Sequence, residues 1–169
     1  QQERANEKTH VELVGVPRFD FYFQPWSKVV PPAPPRGSQR PRVLFCTNFA
    51  LARFADDPEA ADALLGGWAK KSPLYADYKG AIASQLHRRR RVLEILETLM
   101  ADGRHEILLR PHPREDRTFY QQWLQLLPAD RRIGIVLDQD SSITSLILDC
   151  DLQVSCESCT TTIEAWIAG

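Results

Sequence analysis

The chain predicts an α/β fold built around a parallel sheet. Short, almost wholly apolar runs recur along it, each is followed by a segment of helical periodicity, and four such units succeed one another without an internal repeat. Continuous apolar runs read as strands covered on both faces, and the intervening helices supply the covering layers.

Taken in order, Val11 to Gly15 is a short strand candidate. It runs into VPRFDFYFQPW, where Pro17 and Pro25 bracket an aromatic cluster of Phe19, Phe21, Tyr22 and Phe23 that needs a surface to pack on. Residues 29–41, VVPPAPPRGSQRP, hold five prolines around one glycine and predict an extended linker over the surface. VLFCTNF (43–49) then reads as a buried strand, and Asp56, Asp57 and Glu59 lead to a short helix around Pro58–Trp68. Residues 76–101 form the longest helix candidate, with Ile82, Leu86, Leu93, Leu96 and Met100 at three- and four-residue steps, one gap at Arg89/Arg90, and a stop at Ala101-Asp102-Gly103. Next come a strand (105–110), a helix (118–127), a strand (133–138), a helix (141–150), a strand (151–156) and a last helix from about Thr160. Right-handed crossovers would bring every strand's carboxyl end to one edge of a doubly wound, Rossmann-like sheet.

The organisation this implies is a lead-in over 1–28 from an N-terminal domain, a linker over 29–41, and a Rossmann-like domain over 42–169. The closing TTTIEAWIAG reads as a helix reaching Gly169 where a further strand is expected, so the chain looks like a truncated piece of a longer, two-domain polypeptide.

Composition narrows the class. With 43% hydrophobic and 25% charged residues among 169, the chain has enough apolar side chains for a core of its own. A formal net charge of -1 argues against a nucleic-acid partner, so an anion would be met by a local site instead of a global field. No run approaches the roughly 20 apolar residues of a membrane span, and QQERANEKTH lacks the apolar core of a signal peptide. Cys46, Cys150, Cys156 and Cys159 form no dense framework and are expected as free thiols in the cytoplasm. Cys156-x-x-Cys159 has no second ligand pair, and His10, His87 and His105 are scattered, so no metal site is expected. Arg88 to Arg91 reads as a solvated helix face, its functional alternative being contact with anionic lipid or a lipid-linked acceptor.

The chemistry concentrates in LLRPHPRED (108–116). An apolar strand running into Arg-Pro-His-Pro-Arg delivers Arg110, His112 and Arg114 to a strand end, where open α/β sheets bind ligands. Three further loops converge there if the topology holds: Cys46-Thr47-Asn48-Phe49, Asp138 to Ser141, and Ser155 to Thr162. In the last of these, Ser158, Thr160 and Thr161 crowd a helix start whose free N–H groups and dipole attract phosphate. Glu164, six residues beyond Ser158, is placed to accept hydrogen bonds from ribose hydroxyls. A nucleotide sugar is the economical ligand, and with no glycine-rich fingerprint a nicotinamide or flavin cofactor is disfavoured.

The combination of GVPRFDFY, VLFCTNFALA, LLRPHPRED and SCESCTTTIEAWIAG resembles the C-terminal, donor-binding half of GT-B glycosyltransferases and polymerases of bacterial surface polysaccharides, including capsule and teichoic-acid enzymes. The resemblance runs from about Val11 to Gly169, its specific parts being the RPHP and Ser/Thr…Glu-Ala segments. It implies a metal-independent glycosyltransferase without a cofactor, its donor a nucleotide-activated sugar. His112 would contact the donor phosphate as the catalytic residue, and Ser158, Thr160 and Thr161 would bind the same phosphate. Glu164 would contact ribose, with Asn48, Arg110 and Arg114 completing the substrate site. The implied partners are a glycan or lipid-linked acceptor, an N-terminal acceptor domain that would carry the general base, and peripheral contact with the inner face of the inner membrane. Two other readings stay open: a non-hydrolysing UDP-sugar 2-epimerase-like enzyme, and a module that binds its nucleotide without turnover.

Overall fold

A computed structural model describes residue 12, residues 14–157 and residues 159–169. The strand expected at Val11 to Gly15 lies partly outside the described residues, and the described ones form no strand. The fold is α/β, with a four-stranded, all-parallel sheet of Rossmann-like kind.

The strands are β1 (Arg42–Cys46), β2 (Glu106–Arg110), β3 (Ile135–Leu137) and β4 (Leu152–Ser155), in the spatial order β3-β2-β1-β4. The chain thus builds outward from β1 to β3, then returns to lay β4 on the free side of β1. Connections run through α3 (Tyr78–Asp102), α4 (Arg117–Leu126) and α6 (Ile143–Asp149), with α7 (Thr160–Ala168) after β4. Short helices α1 (Pro58–Ala61), α2 (Gly67–Ala69) and α5 (Ala129–Arg132) fill the connections; α1 and α2 are joined by a π-helical turn over Asp62–Gly66.

The strands form because their side chains are consumed on both faces. Val43 and Phe45 of β1, with Ile107 and Leu109 of β2, pack against Leu93, Leu96 and Met100 of α3 and Tyr120 of α4. Leu44, Cys46 and Leu108 point the other way, onto Leu146 and Ile147 of α6 with Ala165 and Ile167 of α7 beside them. Each such leucine or isoleucine contributes about 1.5–3 kcal/mol through burial, which is why the apolar runs show no alternation.

Local signals set the helix ends. Asp77 caps α3 by accepting from the Gly80 N–H at 3.0 Å, and Gly103 closes it in the left-handed region at φ 68°. Asp116 caps α4 by accepting from the Thr118 N–H at 2.8 Å. The gap in the α3 periodicity has a physical explanation: Arg89 occupies a core position, buried with its guanidinium 3.7 Å from the Phe119 ring centroid. The Arg88–Arg91 run is therefore only in part the solvated face expected of it, since Arg88 also pairs with Glu157 at 2.7 Å.

The segment ahead of the sheet is no bare lead-in. Residues Pro17–Tyr22 form a 3₁₀ turn packed on α6 and α7, with Tyr22 buried in the core, so the packed unit begins well before residue 42. The proline-rich stretch is irregular and is held to the sheet by Arg42, whose guanidinium donates to the carbonyls of Pro34 and Pro35 at 2.9 and 3.1 Å.

Candidate functional site at the carboxyl edge of the sheet

Parallel pairing levels the strand ends. Cys46 is in register with Arg110 on one side and Ser155 on the other, and the ladder continues one step beyond through Thr47 N–H to the Arg110 carbonyl and Cys156 N–H to the Cys46 carbonyl. The strand order reverses between β1 and β4, and it is at such a switch point that open sheets leave a crevice. A cleft of about 220 Å³ lies there, lined by Thr47 and Cys46 after β1, by Arg110 to Pro113 after β2, by Cys159 to Thr161 at the start of α7, and by Ile143 and Arg18. Three of the four loops expected to converge do so. The fourth, Asp138 to Ser141, does not line the cleft but reaches it indirectly, through a 3.1 Å bond from Arg110 Nη1 to Asp138 Oδ1.

Arg110 is held by that bond with most of its donors left over. Burial alone would raise Asp138, but the Ser141 hydroxyl and N–H, the Asp140 N–H and then Arg110 outweigh it, and its carboxyl sits below the ordinary range. It is the ionised partner that fixes Arg110.

His112 is half-buried between Pro111 and Pro113. Its Nδ1 accepts the Arg114 N–H at 3.1 Å, so the neutral ring carries its proton on Nε2 and presents a donor there. The loop under it is tied down by a residue that sequence reasoning passed over. Glu115, 8% exposed, accepts from the His112 N–H at 2.9 Å and the Thr47 hydroxyl at 2.6 Å through Oε1, and from the Tyr120 hydroxyl through Oε2. Burial, then Glu115, pushes the Tyr120 phenol upward, which keeps it a donor. Glu115 stood in the RPHPRED run, but nothing in the run announced that its side chain would turn inward.

At the start of α7 the extended Cys159 is the N-cap and supplies no side-chain bond to the first turn. Thr160 is exposed and Thr161 buried, and both border the cleft; behind them the Thr162 hydroxyl donates to Ser155 Oγ at 2.7 Å, which also receives Gln153 Nε2 at 2.9 Å. Among the described residues no side chain caps this turn, which keeps backbone donors for an anion. Ser158 lies outside the described residues.

Two expected residues stand apart from the cleft. Asn48 is half-buried and does not line it, and Arg114 is exposed and contributes its backbone N–H to His112 instead of its guanidinium to the cleft. A third, Glu164, is turned away from where ribose was expected. It is 0% exposed, with one oxygen on the Arg18 guanidinium and the other accepting from the Tyr22 hydroxyl at 2.6 Å. The first turns of α7 pack against the Pro17–Tyr22 turn, and that packing aims the carboxylate inward.

Cys46 lines the cleft, and burial pushes its thiol up to about 11, against hydrogen bonds from Gln153 and Thr161, which disfavours the thiolate at neutral pH. Among the described residues no helix is long and apolar enough to cross a membrane. The fold and cleft define a Rossmann-like α/β protein with a donor-rich crevice at its switch point. No family model, curated protein or solved structure matches the chain.

Proposed function

We propose that this chain binds the phosphate end of a nucleotide-activated sugar and serves glycosyl transfer in the assembly of bacterial surface polysaccharide. The observation that carries the reading is the meeting, in one cleft at the switch point, of Arg110, His112 and the first turn of α7. Each is a donor suited to phosphate oxygen, and they come from three separate connections. The family resemblance of the RPHP and Ser/Thr…Glu-Ala segments supplies the reaction class.

In the transfer, the bond from the sugar's anomeric carbon to the phosphate oxygen breaks with its electron pair on the phosphate, while an acceptor oxygen bonds to that carbon and gives up its proton. Charge grows on the leaving phosphate, and donors already in place stabilise it without reorganising. His112 and Arg110 are assigned that role, with Thr160 and Thr161 holding the same phosphate. The acceptor, its domain and the base that takes its proton are expected outside these residues.

Calorimetric titration of CMP, CDP and UDP into the wild-type chain and His112→Ala tests the reading. Binding of at least one nucleotide, weakened about tenfold or more in the variant, is expected. No binding by any of the three, or binding indifferent to His112, overturns it.

A further inference from the structure

Among the described residues bordering the cleft, Arg18 alone comes from ahead of the sheet. It sits on the Pro17–Tyr22 turn, and its partner among the described residues, Glu164, lies 146 positions away along the chain. The arrangement is lopsided. Glu164 is wholly enclosed, whereas the Arg18 side chain is 47% exposed and borders the cleft beside His112, Thr160 and Thr161.

A carboxylate so enclosed must have its oxygens answered, and here Tyr22 and Arg18 answer one each. Burial and the bond to Glu164 push the Tyr22 phenol upward, so it stays a donor. Arg18 spends one Nη on Glu164 among the described residues, and its planar fork carries further donors on a side chain that is 47% exposed. A mere anchor for the turn would not need this residue at the cleft, because Tyr22 already seats the turn in the core.

We infer that Arg18 is a direct ligand of the donor's phosphate, and that Glu164, steadied by Tyr22, is a positioning residue that aims Arg18 instead of reading ribose. The assignment rests on the reading of the cleft as a phosphate site, and it adds a fourth donor group to that site. It also makes the N-terminal turn part of the binding site.

The two roles for Glu164 separate on the 2′-hydroxyl. Binding of CDP, 2′-deoxy-CDP, UDP, 2′-deoxy-UDP and inorganic pyrophosphate is measured for wild type, Arg18→Ala, Arg18→Lys, Glu164→Gln and the double variant, with a melting curve for each. Arg18→Ala weakens whichever nucleotides bind, and pyrophosphate, about tenfold or more, and Arg18→Lys recovers part of the loss. Glu164→Gln weakens ribo- and deoxynucleotides alike and adds nothing in the Arg18→Ala background.

Wild-type binding that Arg18→Ala leaves within about twofold overturns the Arg18 assignment while the phosphate site stands. A Glu164→Gln loss confined to ribonucleotides overturns the positioning role. Wild type binding none of the five, and not CMP either, brings down the phosphate reading and this assignment together. Should Glu164→Gln not fold, Tyr22→Phe carries the test: weaker binding that disappears in the Arg18→Ala background supports positioning, and unchanged binding overturns it.

Discussion

The two edges of the sheet treat their arginines in opposite ways. At the amino edge Arg42 is 1% exposed and both of its terminal nitrogens are engaged: Glu106 and Asp149 each accept from it at 2.6 Å, and two proline carbonyls take further donors, leaving Nε without a partner among the described residues. Arg36 beside it bonds Asp151 at 2.7 Å, and Asp151 in turn accepts the Arg42 backbone N–H at the same distance. At the carboxyl edge Arg110 and Arg18 have one carboxylate each among the described residues and border the cleft. The difference teaches where to look for a ligand. A cation engaged by the fold through both ends of its fork is a clasp, and one held by a single carboxylate at the border of a cleft is a tool.

The sharpest way to break the comparison is to remove a clasp. Arg42→Met strands the buried Glu106 and is expected to cost about 3–5 kcal/mol of unfolding free energy in urea, whereas Arg42→Met combined with Glu106→Leu costs less than the single change. A double variant as unstable as the single one would mean that the proline carbonyls, not the ion pair, are what Arg42 serves.

Glu115 should blur the two categories, since it is enclosed like the clasp but lies under the cleft. Glu115→Ala leaves the His112 N–H and the Thr47 and Tyr120 hydroxyls without their acceptor, and about 2–3 kcal/mol of stability is expected to go with it. Nucleotide binding measured below the melting transition should weaken too, because the loop under His112 is loosened. Full destabilisation with unchanged affinity would make Glu115 purely structural. His112→Ala, by contrast, should leave the ligand-free melt within about 0.5 kcal/mol of wild type.

Smaller effects sharpen the picture. Burial holds Cys46 up to about 11 and Cys156 up to about 12, so in the folded chain both should react with iodoacetamide at pH 7 far more slowly than in urea. Rapid labelling of Cys46 would show the cleft wall opening. For Asp138 the folded carboxyl lies below its ordinary value. Its contribution to stability is therefore complete above about pH 4 and is lost as the pH falls through the folded-state value. Asp138→Asn should flatten that acid limb of the stability curve, and an unaltered limb would remove Asp138 from the account.

Much of this fold could be read along the chain. The apolar runs at 43–46, 106–110, 135–137 and 152–155 are strands, shorter than expected at several ends. Asp77, Gly103 and Asp116 bound their helices by bonds to neighbours two to four residues away, which local pattern encodes. His112 was legible for the same reason, since a histidine between two prolines at a strand end has few places to go.

Periodicity and capping are short-range and act on the backbone, so the sequence by itself determined the succession of elements and the loops at their ends. Where a polar side chain turns depends on what arrives opposite it from far along the chain. Only the tertiary structure could decide that Glu164 faces inward to Arg18 and Tyr22, that Glu115 joins Thr47 to Tyr120 beneath His112, and that Arg89 takes a core position on Phe119. In each case a buried polar group must find its partner, and the fold, not the neighbouring residues, supplies it.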